Sequence, residues 1–425
     1  MGGERVTFDS GPLRGELRVP GDKSISHRAL IVGAAAATPL RIGGLNSGRD
    51  VRATRNALAA LGATISADEH LVTVEARALG PPPAVLDCMN SGSTARMLLG
   101  ACAGASLAAR FDGDASLRRR PMEPVAAQLR AFGAKIETTQ GHLPLEIRGV
   151  PEVQTRHFIL LQPSAQVKSA LLFAALFARV AVTIDGDRGS RDHTERLLAH
   201  LGAEIEWNGD SVRFFGGSPR GGDVAVPGDF SSAAFFLTAA AVTPGSWAVV
   251  REVGVNPTRT GLIDALRAMG GAVEVRRERL VAGEPVADVS AEYRPLRGAR
   301  IDAEVALRAI DEIPLLAVAA AFAEGTTEID GVGDLRTKES DRLAAIGRLL
   351  QSVGIECAVR GRRLAIAGGT PRSRGDTVAT EGDHRIAMAA AVLARAAGPL
   401  AIDSAAAIDV SFPGFLEAWK GLRDG

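Results

Sequence analysis

The residues best suited to chemistry lie in short polar segments that precede apolar runs. The first, KSISHR (23–28), follows a Pro-Gly-Asp turn and places Lys23, Ser24 and Arg28 at the start of a predicted helix. The free N–H groups and positive dipole end of a helix N-terminus favour an anion, and lysine and arginine add full charges. The segment therefore predicts a phosphate site. Taken alone, it is equally compatible with a plain N-cap and solvated basic residues.

Six further segments have the same arrangement of polar residues before an apolar helix. They are NSGSTAR (90–96), PSAQVKSA (163–170), SRDHTERL (190–197), DEIPLLAV (311–318), TKESDRL (337–343) and DHRIAMAA (383–390). Helix capping by Ser, Thr, Asp or Asn accounts for any one of them. Two features favour anion binding as well. Lys338 and Arg342 are spaced i,i+4 on one predicted helical face, where like charges repel unless an anion lies between them. In addition, Arg118, Arg119 and Arg120 place three cations in one predicted loop.

A carboxylate also falls at one of these helix starts. Asp311 is predicted to be the N-cap of an apolar helix, with Glu312 beside it and Pro314 in the first turn. Capping is the simplest role, but a carboxylate placed among cations can also serve as a general base. The histidines are dispersed and the three cysteines are scattered, so no metal site and no disulfide are expected.

A repeated helix ending indicates how these segments are positioned. LAALGATI (58–65), LRAFGAKI (129–136), LAHLGAEI (198–205), LRAMGGAV (266–273) and LQSVGIEC (350–357) each combine an apolar helix end, a glycine cap and a strand. Their near-equal spacing predicts six α/β units. The final helix (415–422) has no strand after it, and the strand-like RVTF (5–8) is expected to fill that vacancy.

The turn VPGD occurs at 19–22 and again at 226–229, about three repeats further on. These turns are predicted to be the two crossings between domains. One domain would be 19–227, with three repeats, and the other would be discontinuous, formed by 1–18 and 228–425. A two-strand hinge would join them, and its closure would enclose a ligand.

Composition excludes several classes of protein. Lys+Arg (49) equals Asp+Glu (49) and aromatic residues make up 4%, which disfavours nucleic-acid binding. The apolar runs are far shorter than the roughly 20 residues that a membrane span needs. The N-terminus has no targeting pattern and the cysteine usage is typical of a reducing compartment, so a cytoplasmic protein is expected.

In order and over nearly the whole chain, these segments resemble the 5-enolpyruvylshikimate-3-phosphate synthases. The resemblance is carried by VPGDKSISHRAL, LRRRPM, PSAQVKSALL, SRDHTERL, NPTRTGL, DEIPLLAVAAAFAEG, LRTKESDRL, DHRIAMA and SFPGF. It implies the enolpyruvyl transferase fold, with two domains of three βαβαββ-type repeats each. It also implies transfer of the enolpyruvyl group of phosphoenolpyruvate to the 5-hydroxyl of shikimate 3-phosphate, with release of phosphate. No cofactor and a monomeric enzyme are expected.

The resemblance further implies ligands for each substrate. For shikimate 3-phosphate these are Lys23, Ser24, Arg28, Ser164, Gln166, Arg191, Asp311 and Lys338. For phosphoenolpyruvate they are Lys23, Gly92, Arg120, Gln166, Arg342 and Arg385. Asp311 is implied to take the proton from the 5-hydroxyl, and Glu339 or Lys23 to protonate the methylene carbon. Each substrate carries a carboxylate and a phosphate, and the many cations in these sets match that charge.

Some positions depart from the family pattern, and others indicate how glyphosate would act or argue against alternative functions. Val410 stands where many members have lysine, and Met97 where proline is common. Gly92 leaves open a space that alanine fills in glyphosate-tolerant members, so inhibition by glyphosate is expected. The sister transferase acting on UDP-N-acetylglucosamine usually has a reactive cysteine where this chain has Ala115. A noncatalytic anion-binding protein is the other alternative, but anion binding alone does not need Asp311 and Glu339 among the cations.

Overall fold

A computed structural model describes residues 4–68, 71–75, 78–150 and 152–422. These residues form two compact units. Unit 1 contains the described residues up to Pro20, Pro227–Arg279 and those from Pro285 onward, and unit 2 contains Gly21–Val226 and Leu280–Glu284. The chain passes from unit 1 to unit 2 after Pro20 and returns after Val226.

The described residues form fourteen α-helices, seven in each unit. Those of unit 2 are α1 (Lys23–Ala35), α2 (Arg49–Ala60), α3 (Gly92–Gly104), α4 (Ala115–Arg118), α5 (Glu123–Phe132), α6 (Ala165–Ala178) and α7 (His193–His200). Those of unit 1 are α8 (Phe230–Val242), α9 (Gly261–Ala268), α10 (Ala303–Arg308), α11 (Ile313–Ala321), α12 (Arg342–Gln351), α13 (His384–Ala397) and α14 (Phe415–Gly421). Two short 3-10 helices span Val332–Thr337 and Ile408–Val410.

The described residues also form twenty-three strands. The first twelve are β1 (Val6–Phe8), β2 (Arg14–Arg18), β3 (Leu40–Gly43), β4 (Thr64–Ala67), β5 (Leu71–Glu75), β6 (Leu86–Asp87), β7 (Ala108–Asp112), β8 (Lys135–Thr139), β9 (His142–Arg148), β10 (His157–Ile159), β11 (Val182–Asp185) and β12 (Ile205–Trp207). The others are β13 (Ser211–Phe214), β14 (Gly222–Ala225), β15 (Trp247–Gly254), β16 (Ala272–Val281), β17 (Glu284–Glu292), β18 (Arg300–Ile301), β19 (Thr326–Ile329), β20 (Cys357–Arg360), β21 (Arg363–Ala367), β22 (Thr377–Val378) and β23 (Leu400–Ile402).

Five four-stranded sheets share one topology. In the sheet β6-β7-β9-β8, β6 runs parallel to β7, while β7 and β8 both run antiparallel to β9. The same order recurs in β10-β11-β13-β12, β14-β3-β5-β4, β2-β15-β17-β16 and β18-β19-β21-β20. Two of these sheets use a strand distant in sequence, because β14 pairs with β3 and β2 pairs with β15. The recurrence confirms the predicted α/β repeat.

The sixth sheet is completed by the beginning of the chain. Its strand β22 runs parallel to β23, and β1 pairs antiparallel with β23, with Val6 opposite Ile402 and Phe8 opposite Leu400. In this sheet β1 pairs antiparallel with β23, as β9 pairs with β7 in the sheet described above. It therefore takes the place of the second strand after the helix in the other repeats. The prediction that RVTF (5–8) fills the last vacancy is confirmed.

Each unit has its own hydrophobic core, built largely on alanine-rich helices. All thirteen residues of α8 and all nine of α11 are buried. In unit 2, α3 and α6 approach closely, since a Cβ added to Gly100 or Gly104 would lie 2.0 Å from the carbonyl oxygen of Ala170 or Ala174. Small side chains thus allow the central helices to pack backbone against backbone.

The repeated helix endings have the predicted conformation. The capping glycines at 62, 133, 202, 270 and 354 all have positive φ, the region that glycine adopts without a Cβ clash. In the part of the chain that the structure describes, no helix combines the length and the apolar character needed to cross a membrane.

Candidate active site

Polar side chains of unit 2 meet at the N-termini of three helices. Asp22 caps α1 by accepting from the Ile25 N–H at 2.9 Å, and Ser91 caps α3 by accepting from the Thr94 N–H at 3.1 Å. Ser164 caps α6 in the same way, accepting from Val167. The three helix starts therefore carry Lys23, Gly92, Ser164 and Gln166, residues that the sequence predicts as ligands.

Lys23 lies beside the carboxylate of Asp50, near the start of α2. Its Nζ is 2.9 Å from Asp50 Oδ2, and the Asp50 carbonyl accepts a hydrogen bond from Thr94 Oγ1 of α3 at 3.3 Å. Asp50 thereby connects the Lys23 side chain of α1 with the N-terminal turn of α3. The Lys23 side chain is 14% exposed, and that of Asp50 is 9% exposed.

A buried hydroxyl network continues from the same helices. His27 Nδ1 is 2.7 Å from Thr54 Oγ1, which is 2.7 Å from Thr94 Oγ1. Burial, followed by the nearby charges of Lys23 and Arg28, holds the pKa of His27 well below its usual 6.5. The imidazole is therefore neutral at physiological pH and adds no charge to the cluster.

Arg28 is almost fully buried and contacts neutral oxygens. Its Nε donates to Thr194 Oγ1 at 2.8 Å, and its two terminal nitrogens donate to Ser169 Oγ at 3.0 Å and to the Ser24 carbonyl at 2.9 Å. Burial lowers the pKa of Arg28 to about 10; Glu195 opposes this shift and Arg191 adds to it. Arg28 is still charged at neutral pH, and the structure places Arg191 within its electrostatic reach.

The amide of Gln166 is held at both ends. Its Oε1 accepts from an Arg96 terminal nitrogen at 2.7 Å, and its Nε2 donates to Ser93 Oγ at 3.0 Å. A Cβ on Gly92 would lie 2.6 Å from the same Arg96 nitrogen and 3.4 Å from an Arg120 nitrogen. Gly92, Arg120 and Gln166, all predicted ligands, are therefore neighbours.

The three consecutive arginines have different surroundings. Arg118 is exposed and pairs with Asp112 at 2.5 Å, and Arg119 is exposed as well. Arg120 is buried and donates to the side chain of Asn90. Of the three, only the predicted ligand Arg120 points into the protein.

Unit 1 holds the second cluster, centred on Arg342, which is fully buried. Its Nε donates to Asp383 Oδ2 at 2.8 Å, one terminal nitrogen lies 3.5 Å from Asp311 Oδ1, and the other donates to Glu339. Burial lowers the pKa of Arg342, but the carboxylates of Asp383, Glu339 and Asp311 outweigh it and raise the pKa above its usual value.

Arg385 contacts the other side of Asp311. It donates to the Asp311 carbonyl at 3.1 Å and lies 3.5 Å from Asp311 Oδ2. The structure thus brings together Asp311, Glu339, Arg342 and Arg385, as the resemblance implies. Lys338 is half-buried and immediately precedes Glu339.

Two local predictions in this cluster are wrong. Asp311 is not the N-cap of α11, because Glu312 holds that position and the helix begins at Ile313; the Asp311 carboxylate faces Arg342 and Arg385 instead. Lys338 and Arg342 do not share a helical face. Asp341 caps α12 by accepting from Ala344 at 3.1 Å, so the helix begins at Arg342 and leaves Lys338 in an extended conformation.

Sequence reasoning also missed three charged residues near these clusters: Arg96, Lys168 and Glu312. Lys168 is fully buried on α6, 2.8 Å from Asp187 and 2.6 Å from Glu195. Burial alone would lower the pKa of Lys168. The two carboxylates have the larger effect, so the pKa is raised overall. Arg96 and Lys168 lie in segments recognised as helix starts, but nothing local marks them as buried or paired.

The chain is similar to known proteins over nearly its whole length. A family model described as EPSP synthase (3-phosphoshikimate 1-carboxyvinyltransferase) matches residues 9–419. A relative from Anaeromyxobacter sp. (strain Fw109-5), named 3-phosphoshikimate 1-carboxyvinyltransferase, is 47% identical over 430 residues, with 100% of each chain covered. A protein of the same name from Thermus thermophilus is 46% identical, with 96% of each chain covered.

Solved structures are similar over the same extent. EPSP synthase from Acinetobacter baumannii matches with a TM-score of 0.85 at 37% identity, covering 99% of this chain and 98% of that one. The enolpyruvyl transferase NikO from Streptomyces tendae matches with a TM-score of 0.77 at 20% identity, with the same coverage, which is a likeness of fold alone.

Proposed function

The chain belongs to the EPSP synthase family, and we propose that residues of both its clusters carry out that family's reaction in the roles given below. The reaction transfers the enolpyruvyl group of phosphoenolpyruvate to the 5-hydroxyl of shikimate 3-phosphate and releases phosphate, a step of the shikimate pathway. The fold is the α/β enolpyruvyl transferase fold, as predicted.

The observation that carries the assignment of roles is the difference in charge between the clusters. Unit 2 presents cations and hydroxyls at helix N-termini, which is the chemistry that recognises phosphate and carboxylate. Unit 1 holds Asp311 and Glu339 against Arg342 and Arg385. Anion binding needs the first set, and proton transfer to and from the substrates needs the second.

For shikimate 3-phosphate, we propose eight ligands. Hydroxyl and amide donors accompany the cations, and this combination suits a phosphorylated polyol better than a bare anion. The ligands are Lys23, Ser24, Arg28, Ser164, Gln166, Arg191, Asp311 and Lys338.

For phosphoenolpyruvate, we propose a set dominated by arginine. Gly92 contributes space and backbone, while the guanidinium groups offer paired donors to carboxylate and phosphate oxygens. The ligands are Lys23, Gly92, Arg120, Gln166, Arg342 and Arg385. Inhibition by glyphosate stays a prediction. A Cβ at position 92 would lie 2.6 Å from an Arg96 nitrogen, so alanine there would require the Arg96 side chain to move.

In the proposed chemistry, Asp311 accepts the proton of the 5-hydroxyl of shikimate 3-phosphate. The hydroxyl oxygen then forms a bond to C2 of phosphoenolpyruvate. An acid, for which Glu339 and Lys23 are the candidates, delivers a proton to the methylene carbon and gives a tetrahedral intermediate. The conjugate base of that acid then takes back a proton from the methyl group while the C–O bond to phosphate breaks, and this elimination gives the enol ether. The arginines and Lys23 stabilise the charge that develops on the departing phosphate.

Three organisational predictions complete the proposal. The domain 19–227 is proposed as the main shikimate 3-phosphate side, with 1–18 and 228–425 as the other domain. The enzyme is proposed to act as a monomer. A cytoplasmic location is proposed from the cysteine usage, since Cys88, Cys102 and Cys357 are free thiols.

Phosphate release by the purified protein tests the function. The protein is given shikimate 3-phosphate and phosphoenolpyruvate together, and then each alone. Release that requires both substrates is expected. Release with UDP-N-acetylglucosamine in place of shikimate 3-phosphate would assign the sister activity instead. If no phosphate is released with either acceptor, the proposal is contradicted.

A further inference from the structure

Glu312 is a buried carboxylate to which the proposed chemistry gives no role. It is 0% exposed and lies next to Asp311 at the start of α11. Its Oε1 accepts a hydrogen bond from Ser231 Oγ and lies 3.6 Å from an Arg385 nitrogen and 3.8 Å from an Arg259 nitrogen. Among the described residues, its Oε2 has no hydrogen-bond partner.

A carboxylate in such a place is costly unless cations compensate it. Removing an ionised carboxylate from water carries a large free-energy penalty, which only close, well-placed counter-charges offset. Arg259 and Arg385 supply that charge. Both arginines are buried, and each also faces a second carboxylate, Asp229 for Arg259 and Asp311 for Arg385.

The second VPGD turn (226–229) and the helix after it organise the far side of Glu312. Ser231 stands in the first turn of α8 and accepts from Arg259 at 2.7 Å while donating to Glu312. Asp229, the cap of α8, lies 3.9 Å from the same Arg259 nitrogen. Arg259, Ser231 and Glu312 thus form a continuous polar chain that ends at Arg385.

On its near side, Glu312 faces the arginine that borders the proposed proton acceptor. One terminal nitrogen of Arg385 lies between Glu312 Oε1 at 3.6 Å and the Asp311 carbonyl at 3.1 Å. The other terminal nitrogen faces Asp311 Oδ2 at 3.5 Å. Two consecutive residues therefore fix the guanidinium plane of Arg385.

We propose that Glu312 is a positioning residue for phosphoenolpyruvate. Held by Ser231 and Arg259, it keeps Arg385 against the Asp311 main chain, so that the guanidinium meets the substrate in one orientation. The inference rests on the proposed function, in which Arg385 binds phosphoenolpyruvate. It also gives the helix that follows the second VPGD turn a part in the reaction, through Ser231.

The test is Glu312→Gln, which keeps the size of the side chain and its acceptor for Ser231 but removes the charge. The KM for phosphoenolpyruvate is expected to rise about tenfold, with the KM for shikimate 3-phosphate changed less than about twofold. A loss of packing alone would change the KM values for the two substrates together, or would change neither of them. An equal rise in both constants, or no rise, overturns the proposal.

A double-mutant cycle with Arg385→Lys shows whether the effect passes through Arg385. Once Arg385 is changed, adding Glu312→Gln is expected to raise the KM for phosphoenolpyruvate less than about twofold further. Asp288→Asn is the matched control, since Asp288 is a buried carboxylate of the same unit, paired with Arg251 at 2.7 Å. It is expected to lower the thermal midpoint and leave this KM unchanged. Fully additive effects of Glu312→Gln and Arg385→Lys overturn the proposal.

Should Glu312→Gln fail to fold, Ser231→Ala takes its place. It removes the hydroxyl between Arg259 and Glu312 and is expected to raise the KM for phosphoenolpyruvate about threefold; an unchanged KM overturns the proposal. The unsubstituted protein is assayed in parallel. If it shows no turnover, the proposed function fails and this inference with it, whereas turnover with unaltered constants in the variants contradicts the inference alone.

Discussion

Two buried arginines of unit 2 and two of unit 1, all four among the proposed ligands, have different surroundings. In unit 2, Arg28 donates to two hydroxyls and a carbonyl, and Arg120 donates to an asparagine side chain. In unit 1, Arg342 contacts three carboxylates and Arg385 contacts two. The same type of side chain is thus set to attract an anion in one unit and to hold carboxylates in the other.

The pKa shifts follow the same division. Burial lowers the pKa of Arg28 to about 10, whereas the carboxylates around Arg342 raise the pKa of that residue. A guanidinium among neutral oxygens retains positive potential for a substrate. The charge of a guanidinium among carboxylates is partly offset by them, and such a guanidinium also fixes their positions. The comparison supports the proposal that the cations of unit 2 act mainly in binding and the carboxylates of unit 1 mainly in proton transfer.

The largest effect that would sharpen this comparison is expected for Asp311→Asn. Without an acceptor for the hydroxyl proton, turnover should fall on the order of 10³-fold, or about 4 kcal/mol, while both KM values stay within about threefold. Steady-state phosphate release measures it. A variant that keeps more than a tenth of the normal turnover would break the assignment.

The next largest effect is a loss of stability in unit 2, where Asp187 and Glu195 are paired with Lys168. Lys168→Met leaves Asp187 and Glu195 buried without their common counter-charge, so the free energy of unfolding should fall by about 3 kcal/mol. Denaturant unfolding measures it. Lys135→Met, at an exposed position of β8 in the same unit, should change stability by no more than about 0.5 kcal/mol. Equal stability of the two variants would show that the ion pairs of Lys168 do not stabilise the fold.

Adjacent arginines offer a matched test of binding. Arg120→Met removes a buried cation and should raise the KM for phosphoenolpyruvate about 100-fold, or roughly 2.7 kcal/mol. Arg119→Met, at the exposed neighbouring position, should change it less than about twofold. Steady-state kinetics measure both. Similar effects at the two positions would remove the reason for assigning Arg120 alone to the site.

The smallest effect is a pH dependence of stability from His27. Because its pKa in the folded protein lies well below 6.5, the unfolded chain takes up a proton below that pH before the native protein does. The free energy of unfolding is therefore unaffected by His27 above pH 6.5 and falls below it by about 1.4 kcal/mol per pH unit, down to the folded pKa.

His27→Asn keeps a polar group near Thr54 and has no titration in this range. Denaturant unfolding of both proteins at pH 5.5 and 7.5 should show that the unsubstituted protein loses about 1 kcal/mol more than the variant. Parallel losses would mean that the imidazole is charged in the folded state, contrary to the neutral network described here.

Local patterns predict much of this fold. Glycine caps and strand alternation predict the repeat, and the missing strand after the last helix predicts the pairing of β1 with β23. The six polar segments do precede helices α3, α6, α7, α11, α12 and α13. These features depend on the few residues around a helix end, which is why the sequence carries them.

Contacts between distant segments were not predictable in the same way. The Arg342 guanidinium donates to Asp383, a residue 41 positions further along the chain. The pairing of Glu312 with Ser231 joins positions 81 residues apart. Burial and partner choice depend on the packed repeats, so the sequence indicates which residue types gather but not which of them pair.

The claim that unit 2 contributes mainly binding and unit 1 mainly proton transfer is tested most directly by calorimetric titration with phosphoenolpyruvate alone, in the absence of an acceptor and so of turnover. The unsubstituted protein, Asp311→Asn and Arg120→Met are compared. The account predicts that Asp311→Asn binds within about threefold of the unsubstituted protein and that Arg120→Met binds about 100-fold more weakly. Equal weakening in the two variants would contradict it.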